Sequence, residues 1–310
     1  MTSHAIVTGA HGAIGRKVVA ALREKNMKVS GIGNGPSHWA HPESIDQWVA
    51  APVTARNLDR LVERLGPPAL VMHLAGGSSV HASIENPALD FRRTVESTME
   101  IAQWPGMRTH RPALIYASSA AVYGDNSSSH IVESAPIQPK SPYGFHKDLA
   151  EKIVAYWSAQ YDFPSATVRL FSVYGEGLQK QLVYELSRKL LDGADRVEMF
   201  GTGEELRDWL WIGDAARLLA MAPDWARVGG MAVNGCTGHG TSVATISQLL
   251  CALAGSDCSF EFLQKERSGD PDNLVGSSAL LGELGFKPIM RLEEGLKHTY
   301  ESLAGEGPRQ

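Results

Sequence analysis

Residues 141–147, SPYGFHK, place a tyrosine and a lysine four positions apart, just after a proline. On a helix that spacing stacks Tyr143 and Lys147 on one face, one turn apart. Two readings are open. The pair is an ordinary surface aromatic–lysine contact, or it is a phenol set beside an ammonium so that it can pass a proton near neutral pH. A free tyrosine has a pKa of about 10 and is a poor base at pH 7, and a nearby cation favours the phenolate. Such pairs also arise by chance, so the rest of the chain has to decide.

The start of the chain supplies a second chemical feature. VTGAHGAIGRKV carries Gly9, Gly12 and Gly15 between a strand-like run and a helix-like one, with His11, Ala13 and Ile14 completing the turn. Glycines there permit a tight turn and a close approach of backbone to a pyrophosphate, and the helix start offers unpaired N–H groups. This context predicts a nicotinamide dinucleotide. An acid at the end of the second strand would select NAD by binding the ribose 2′-hydroxyl. That position is Gly33, followed by Asn34, and no carboxylate occurs between Glu24 and Glu43. The missing repulsion favours NADP over NAD, with His11, Arg16 and His38 as possible neighbours of a 2′-phosphate.

These residues need elements to position them. AIVTGA (5–10), KVSGIG (28–33), ALVMHLA (69–75), ALIYASS (113–119) and SATVRLF (165–171) read as buried strands. Helical patterns at about 15–26, 58–65, 88–104 and 144–160 alternate with them. That rhythm predicts an α/β fold, a doubly wound parallel sheet of Rossmann type. After RLFSVYGEG the rhythm changes, with further helices near 179–192 and 292–303. The expected division is a dinucleotide-binding domain of residues 1–173 plus about 208–253, and a smaller substrate lobe of about 174–207 plus 254–310.

Composition narrows the class. A net charge of −5 gives no bias toward nucleic acid or an anionic membrane. No apolar run reaches the 18 or so residues of a membrane span, and the start lacks the pattern of a signal peptide. The three cysteines have no metal-ligand spacing and read as free thiols, so the expectation is a cytoplasmic protein with neither metal nor nucleic-acid partner.

Seven segments in order, TGAHGAIG, HLAGGSSV, YASSAAVYG, SPYGFHK, RLFSVYG, RDWLWIGDAA and ERSGDP, resemble the extended short-chain dehydrogenase/reductase superfamily, in its nucleotide-sugar epimerase/dehydratase branch. The resemblance implies a catalytic trio of Ser119, Tyr143 and Lys147. It adds Leu74, Ala75 and Gly76 to the cofactor-binding residues, with Lys147 on the nicotinamide ribose. It implies that Ser119, Ser172, Arg207 and Arg267 contact a nucleotide-diphosphate sugar, the arginines at its diphosphate. It also implies a homodimer through the helices near 88–104 and 144–160.

Departures from the family pattern shape the expected reaction. Family dehydratases place Asp-Glu after the catalytic serine or threonine, where this chain has Ala120 and Ala121, which cannot move protons. Ser172 and Thr94 replace family asparagines, and Pro52 stands where an acid near adenine is usual. The expectation is an NAD(P)-dependent oxidoreductase acting at sugar C4, with a 4-ketosugar reductase favoured over an NAD-dependent 4-epimerase. A reductase of small carbonyls and a non-catalytic dinucleotide-binding regulator are the alternatives from other classes.

Overall fold

In the computed structural model the described residues are 3–35, 45–126, 128–265, 269 and 271–306. The chain opens with strand β1 (His4–Thr8), the glycine turn and helix α1 (Ala13–Glu24), then β2 (Lys28–Gly33), β3 (Gln47–Ala50) and α2 (Ala55–Leu65). After β4 (Leu70–His73) come α3 (Val80–Glu85), α4 (Pro87–Phe91) and α5 (Ser97–Gln103), followed by β5 (Ala113–Ser119), α6 (Pro142–Tyr161) and β6 (Pro164–Leu170). These six strands pair in parallel in the order β3–β2–β1–β4–β5–β6. The order reverses between β1 and β4, so their carboxyl ends open a crevice that the turns after them must line.

Period-2 alternation explains why these strands read as continuous apolar runs. Val7, Met72 and Ile115 pack on one face of the sheet with Val18 and Leu22 of α1. Their neighbours Ile6, Val71 and Leu114 pack on the other face with Leu58 and Leu61 of α2, Ile101 of α5 and Val154 of α6. Both faces are covered, as a parallel sheet requires.

From β6 the chain crosses to a second layer of structure. Strand β7 (Ser172–Tyr174) leads to α7 (Leu182–Leu191), β8 (Arg196–Met199) and β9 (Leu206–Trp211). Helix α8 (Ile212–Met221) returns to the first core cluster, and β10 (Arg227–Val228) and β11 (Ala232–Gly235) extend the large sheet on β6. Then β12 (Gly240–Ser242), α9 (Val243–Ala254), β13 (Ser259–Phe262), β14 (Asn273–Leu274), α10 (Ala279–Glu283) and α11 (Leu292–Gly305) complete the chain. Strands β7, β12 and β14 all pair with β9, and β8 pairs with β13. A third core cluster joins α7, α9 and α11 through Leu186, Leu190, Ile246, Leu250 and Leu296. Within the 208–253 stretch, α8 and β11 pack with the large sheet, whereas α9 packs in this third cluster.

Two features depart from the sequence reading. Strand β3 has no counterpart there: its four half-exposed residues are too few to display a period. The single helix expected over 88–104 is α4, a widened turn over Arg92–Glu96, and α5. The Ser97 and Thr98 hydroxyls donate to the carbonyls of Arg93 and Thr94, at 2.6 and 2.5 Å, displacing the usual amide partners and opening the turn. Among the described residues no helix is long and apolar enough to cross a membrane.

Candidate active site

A cleft of about 1800 Å³ lies over the carboxyl ends of β1, β4 and β5, roofed by the second lobe. Gly9, His11, Gly12, Ala13, Ile14, Gly15, Gly33, Asn34, Leu74, Ala75, Gly76, Ser119, Tyr143, Lys147, Ser172 and Arg207 all line it. The fold thus brings together the residues that the sequence reading grouped as one site, except Arg267, which lies outside the described residues, as does His38.

The glycine turn has the shape of a phosphate cradle. Gly9 sits at φ +68°, and a Cβ there would stand 3.0 Å from the Ala75 amide nitrogen. A Cβ on Gly15 would stand 2.2 Å from the Gly9 carbonyl, so the first turn of α1 can lie this close only without a side chain. Helix α1 begins at Gly12 with no capping side chain and no acid in its first turn. Helices α2, α3, α4, α6 and α9 are each capped by a serine, threonine or asparagine. The opening N–H groups of α1 therefore face the cleft ready for an anion, which fits the pyrophosphate of a dinucleotide.

Packing explains the missing acid at position 33. A Cβ on Gly33 would stand 2.9 Å from His11 Nδ1, and the His11 ring is held edge-on to Trp48 at 5.5 Å. The imidazole occupies the space that a carboxylate would need. Burial, then the charge of Arg16, lowers the pKa of His11 from its ordinary value, so it is neutral at pH 7.

A buried relay fixes the loop after β4. The Thr8 hydroxyl accepts from the Leu74 and Ala75 amides at 3.1 and 3.0 Å, so its own proton points to His73 Nδ1 at 2.8 Å. His73 Nε2–H then donates to Thr98 Oγ1 at 3.1 Å, which donates to the Thr94 carbonyl. Thr94 Oγ1 accepts from the Gly77 amide at 2.8 Å, so the residue replacing the family asparagine anchors the cleft wall. Burial holds the pKa of His73 down at about 3, and the ring acts as a neutral spacer. The sequence reading gave His73 no role. The usable signal was the pairing of Thr8 with His73 at the ends of adjacent strands.

The catalytic candidates meet at the end of β5. The Ser141 side chain accepts from the Gly144 amide at 3.2 Å and Pro142 opens α6, so the Tyr143 side chain leaves the first turn toward the cleft. Ser119 lines the same cleft and acts on the ionisation of that phenol, favouring the phenolate. Lys147 Nζ donates to the Ala117 carbonyl at 2.9 Å and stands 5.8 Å from the Tyr143 ring centroid and 5.0 Å from that of Tyr116.

The electrostatics correct one sequence expectation. Burial, the largest effect, pushes the Tyr143 phenol up to about 12; Ser119 opposes this and the Asp90 charge reinforces it. Burial also pulls Lys147 down to about 8, against the charges of Asp90 and Glu151. Desolvation sets the direction, so Tyr143 is a neutral acid at pH 7.

The substrate-side calls divide. Ser172 lies on the cleft wall at the start of β7. Arg207 lines the cleft but donates to the carbonyls of Leu206, Pro271 and Asp272 at 2.7–2.9 Å, so part of its fork ties β9 to the 271–272 turn. Ala120 is buried, Ala121 and Pro52 face the cleft, and no carboxylate occupies the 120–121 pair. Trp209 and Trp211 pack in the core, as read. Sequence reasoning missed a buried hydrogen bond between Asp90 and His146 at 2.6 Å and a buried ion pair of Glu151 with Arg169 at 2.8 Å. It also missed Lys180 on the cleft wall.

Comparison with known proteins gives concordant matches. The family model described as "NAD dependent epimerase/dehydratase family" matches residues 5–234. The UDP-glucose 4-epimerase of Mycolicibacterium smegmatis is 27% identical over 307 residues, covering 96% of this chain and 97% of its own. The dTDP-glucose 4,6-dehydratase of Streptomyces griseus is 26% identical over 322 residues, covering 96% and 93%. The structure of MoeE5 in complex with UDP-glucuronic acid and NAD superposes with a TM-score of 0.87 at 26% identity, covering 98% of this chain and all of that one.

Proposed function

We propose, from the premise that this chain belongs to the NAD dependent epimerase/dehydratase family, that it is an NAD(P)-dependent enzyme acting at C4 of a nucleotide-diphosphate sugar. The observation that carries this reading is the meeting of Ser119, Tyr143 and Lys147 in the cleft that the glycine turn opens. When bound, the nicotinamide supplies the hydride acceptor and donor.

The residues of this chain would manage the proton. The Tyr143 hydroxyl exchanges a proton with the oxygen on sugar C4, and Ser119, on the same cleft wall, aligns that oxygen. Lys147 is charged below about pH 8, so at neutral pH its ammonium supports whatever negative charge develops on the phenol. Ala120 and Ala121 offer no acid or base for 4,6-dehydration, which separates this chain from the dehydratases among its relatives. A dinucleotide sensor without chemistry would not need the trio.

Two forms of C4 chemistry fit the trio. The relative of near-equal length named UDP-glucose 4-epimerase favours 4-epimerisation. The 4-ketosugar reductase expected from the sequence would use the same phenol to protonate a ketone oxygen. The NADP preference read from Gly33 has no support from MoeE5, which is seen with NAD, so NAD is the first cofactor to test. An epimerase keeps its nicotinamide through purification and interconverts UDP-glucose and UDP-galactose without added cofactor. A reductase is purified empty and consumes NADH or NADPH with a 4-ketosugar nucleotide. Neither activity with UDP- or dTDP-sugars would refute the proposal.

We also propose that the protein is a homodimer built on α5 and α6. Met99, Phe145 and Tyr156 on these helices, and Phe91 just before them, leave large apolar side chains exposed. Light scattering at micromolar concentration is expected to give twice the 33.5 kDa chain mass. A mass of one chain would refute the dimer.

A further inference from the structure

We infer that Lys180, with Ser78, forms an anion subsite at the sugar end of the cleft, and that the substrate is a nucleotide sugar whose hexose carries a carboxylate. This rests on the nucleotide-sugar reading above and narrows it.

The placement of Lys180 comes from the loop after β4. A Cβ on Gly76 would stand 3.7 Å from Lys147 Nζ, so this loop touches the reacting end of the cleft. Two residues on, the Ser78 hydroxyl accepts a hydrogen bond from Lys180 Nζ. Lys180 is thereby tied to the loop that reaches the reacting end of the cleft, near enough for its charge to act on Lys147. Arg207 lies instead on β9, against the 271–272 turn.

Lys180 has no acidic partner among the described residues, and Ser78 is its hydrogen-bond partner. Glu176, the nearest acid before it in sequence, is paired with Lys17 at 2.5 Å. Glu185 also lines the cleft. A partly buried ammonium beside a second ammonium is unfavourable without a compensating anion, and burial does lower the proton affinity of Lys180. The backbone adds a second sign. Gln181, the next residue, sits at φ +74° and ψ 169°, a region that side chains other than glycine occupy at a cost of about 1–3 kcal/mol. The Ser78 hydrogen bond holds the lysine on the cleft wall. A carboxylate on the hexose, next to the carbon that reacts, supplies the missing charge.

The test uses the NAD-loaded full chain and its Lys180→Gln variant, with affinities for UDP-glucuronic acid, UDP-glucose and UDP measured by calorimetry. The wild type is expected to prefer UDP-glucuronic acid over UDP-glucose by at least tenfold, and Lys180→Gln to abolish that preference while Lys180→Arg keeps most of it. Equal affinity of the wild type for the two sugars would overturn the inference. So would an equal loss of affinity for UDP alone in Lys180→Gln, which would assign the lysine to the diphosphate. If neither UDP nor dTDP binds the wild type, the nucleotide-sugar reading itself fails, a result distinct from the loss of sugar discrimination.

Discussion

Replacing Tyr143 by phenylalanine is expected to lower turnover by about 10²- to 10⁴-fold, the range for loss of a positioned proton donor. The ring stays, so the packing around it and the 5.8 Å approach of Lys147 persist, and only the hydroxyl is lost. Affinity for the nucleotide sugar and the thermal midpoint should change little, which separates a chemical effect from a folding one. The pH dependence gives a second readout. With the phenol held near 12, the neutral acid persists throughout the neutral range. A kcat limb that shifts on Lys147→Met would therefore report the ammonium, which titrates near 8. Turnover within a few fold of wild type in Tyr143→Phe would remove the tyrosine from the chemistry.

The second large effect is on stability. Glu151 lies on α6 one turn beyond Lys147 and accepts three contacts from the Arg169 guanidinium at 2.8–3.1 Å, plus the Ser118 hydroxyl at 2.5 Å. Both charged side chains are buried. Glu151→Leu leaves Arg169 charged and without its partner inside the protein, a change that costs about 3–5 kcal/mol. Chemical denaturation of the Rossmann core should show a lower midpoint with an unchanged slope. The double variant Glu151→Leu, Arg169→Met should recover much of the loss, because the uncompensated charge is gone. A Glu151→Leu protein as stable as wild type would mean that water or another group compensates Arg169.

Much of the scaffold was legible because its signals are local. Short apolar runs locate β2, β5 and β6 to within a residue at either end and β1 to within two. The glycine turn and the Tyr143–Lys147 spacing identify two walls of the cleft before any fold is known. What stayed hidden depends on contacts between distant segments. The sign of the Tyr143 shift is set by how deeply the folded chain desolvates the phenol, which no local motif records. Gly33 reads as a missing acid, but the physical reason is the His11 ring, placed there by Trp48 from β3, a strand too short to announce itself. Lys180 looks like any loop lysine until Ser78, 102 residues earlier, is brought to it. Arg207 matches a diphosphate-binding motif, yet much of its fork is spent on backbone carbonyls, a role that residue type and spacing do not predict.

The central claim is that this cleft moves a hydride at C4 of a nucleotide sugar while Tyr143 moves the proton. Incubating the protein with NAD and UDP-glucose or dTDP-glucose deuterated at C4, then quenching and examining the cofactor by mass spectrometry, tests it most directly. The predicted result is deuterium in the reduced nicotinamide, absent in Tyr143→Phe. No deuterium on the nicotinamide at any quench time within a turnover, although the sugar binds and the cofactor is present, would contradict the account, since even an epimerase that returns the deuteride to C4 must carry it on the cofactor in passing.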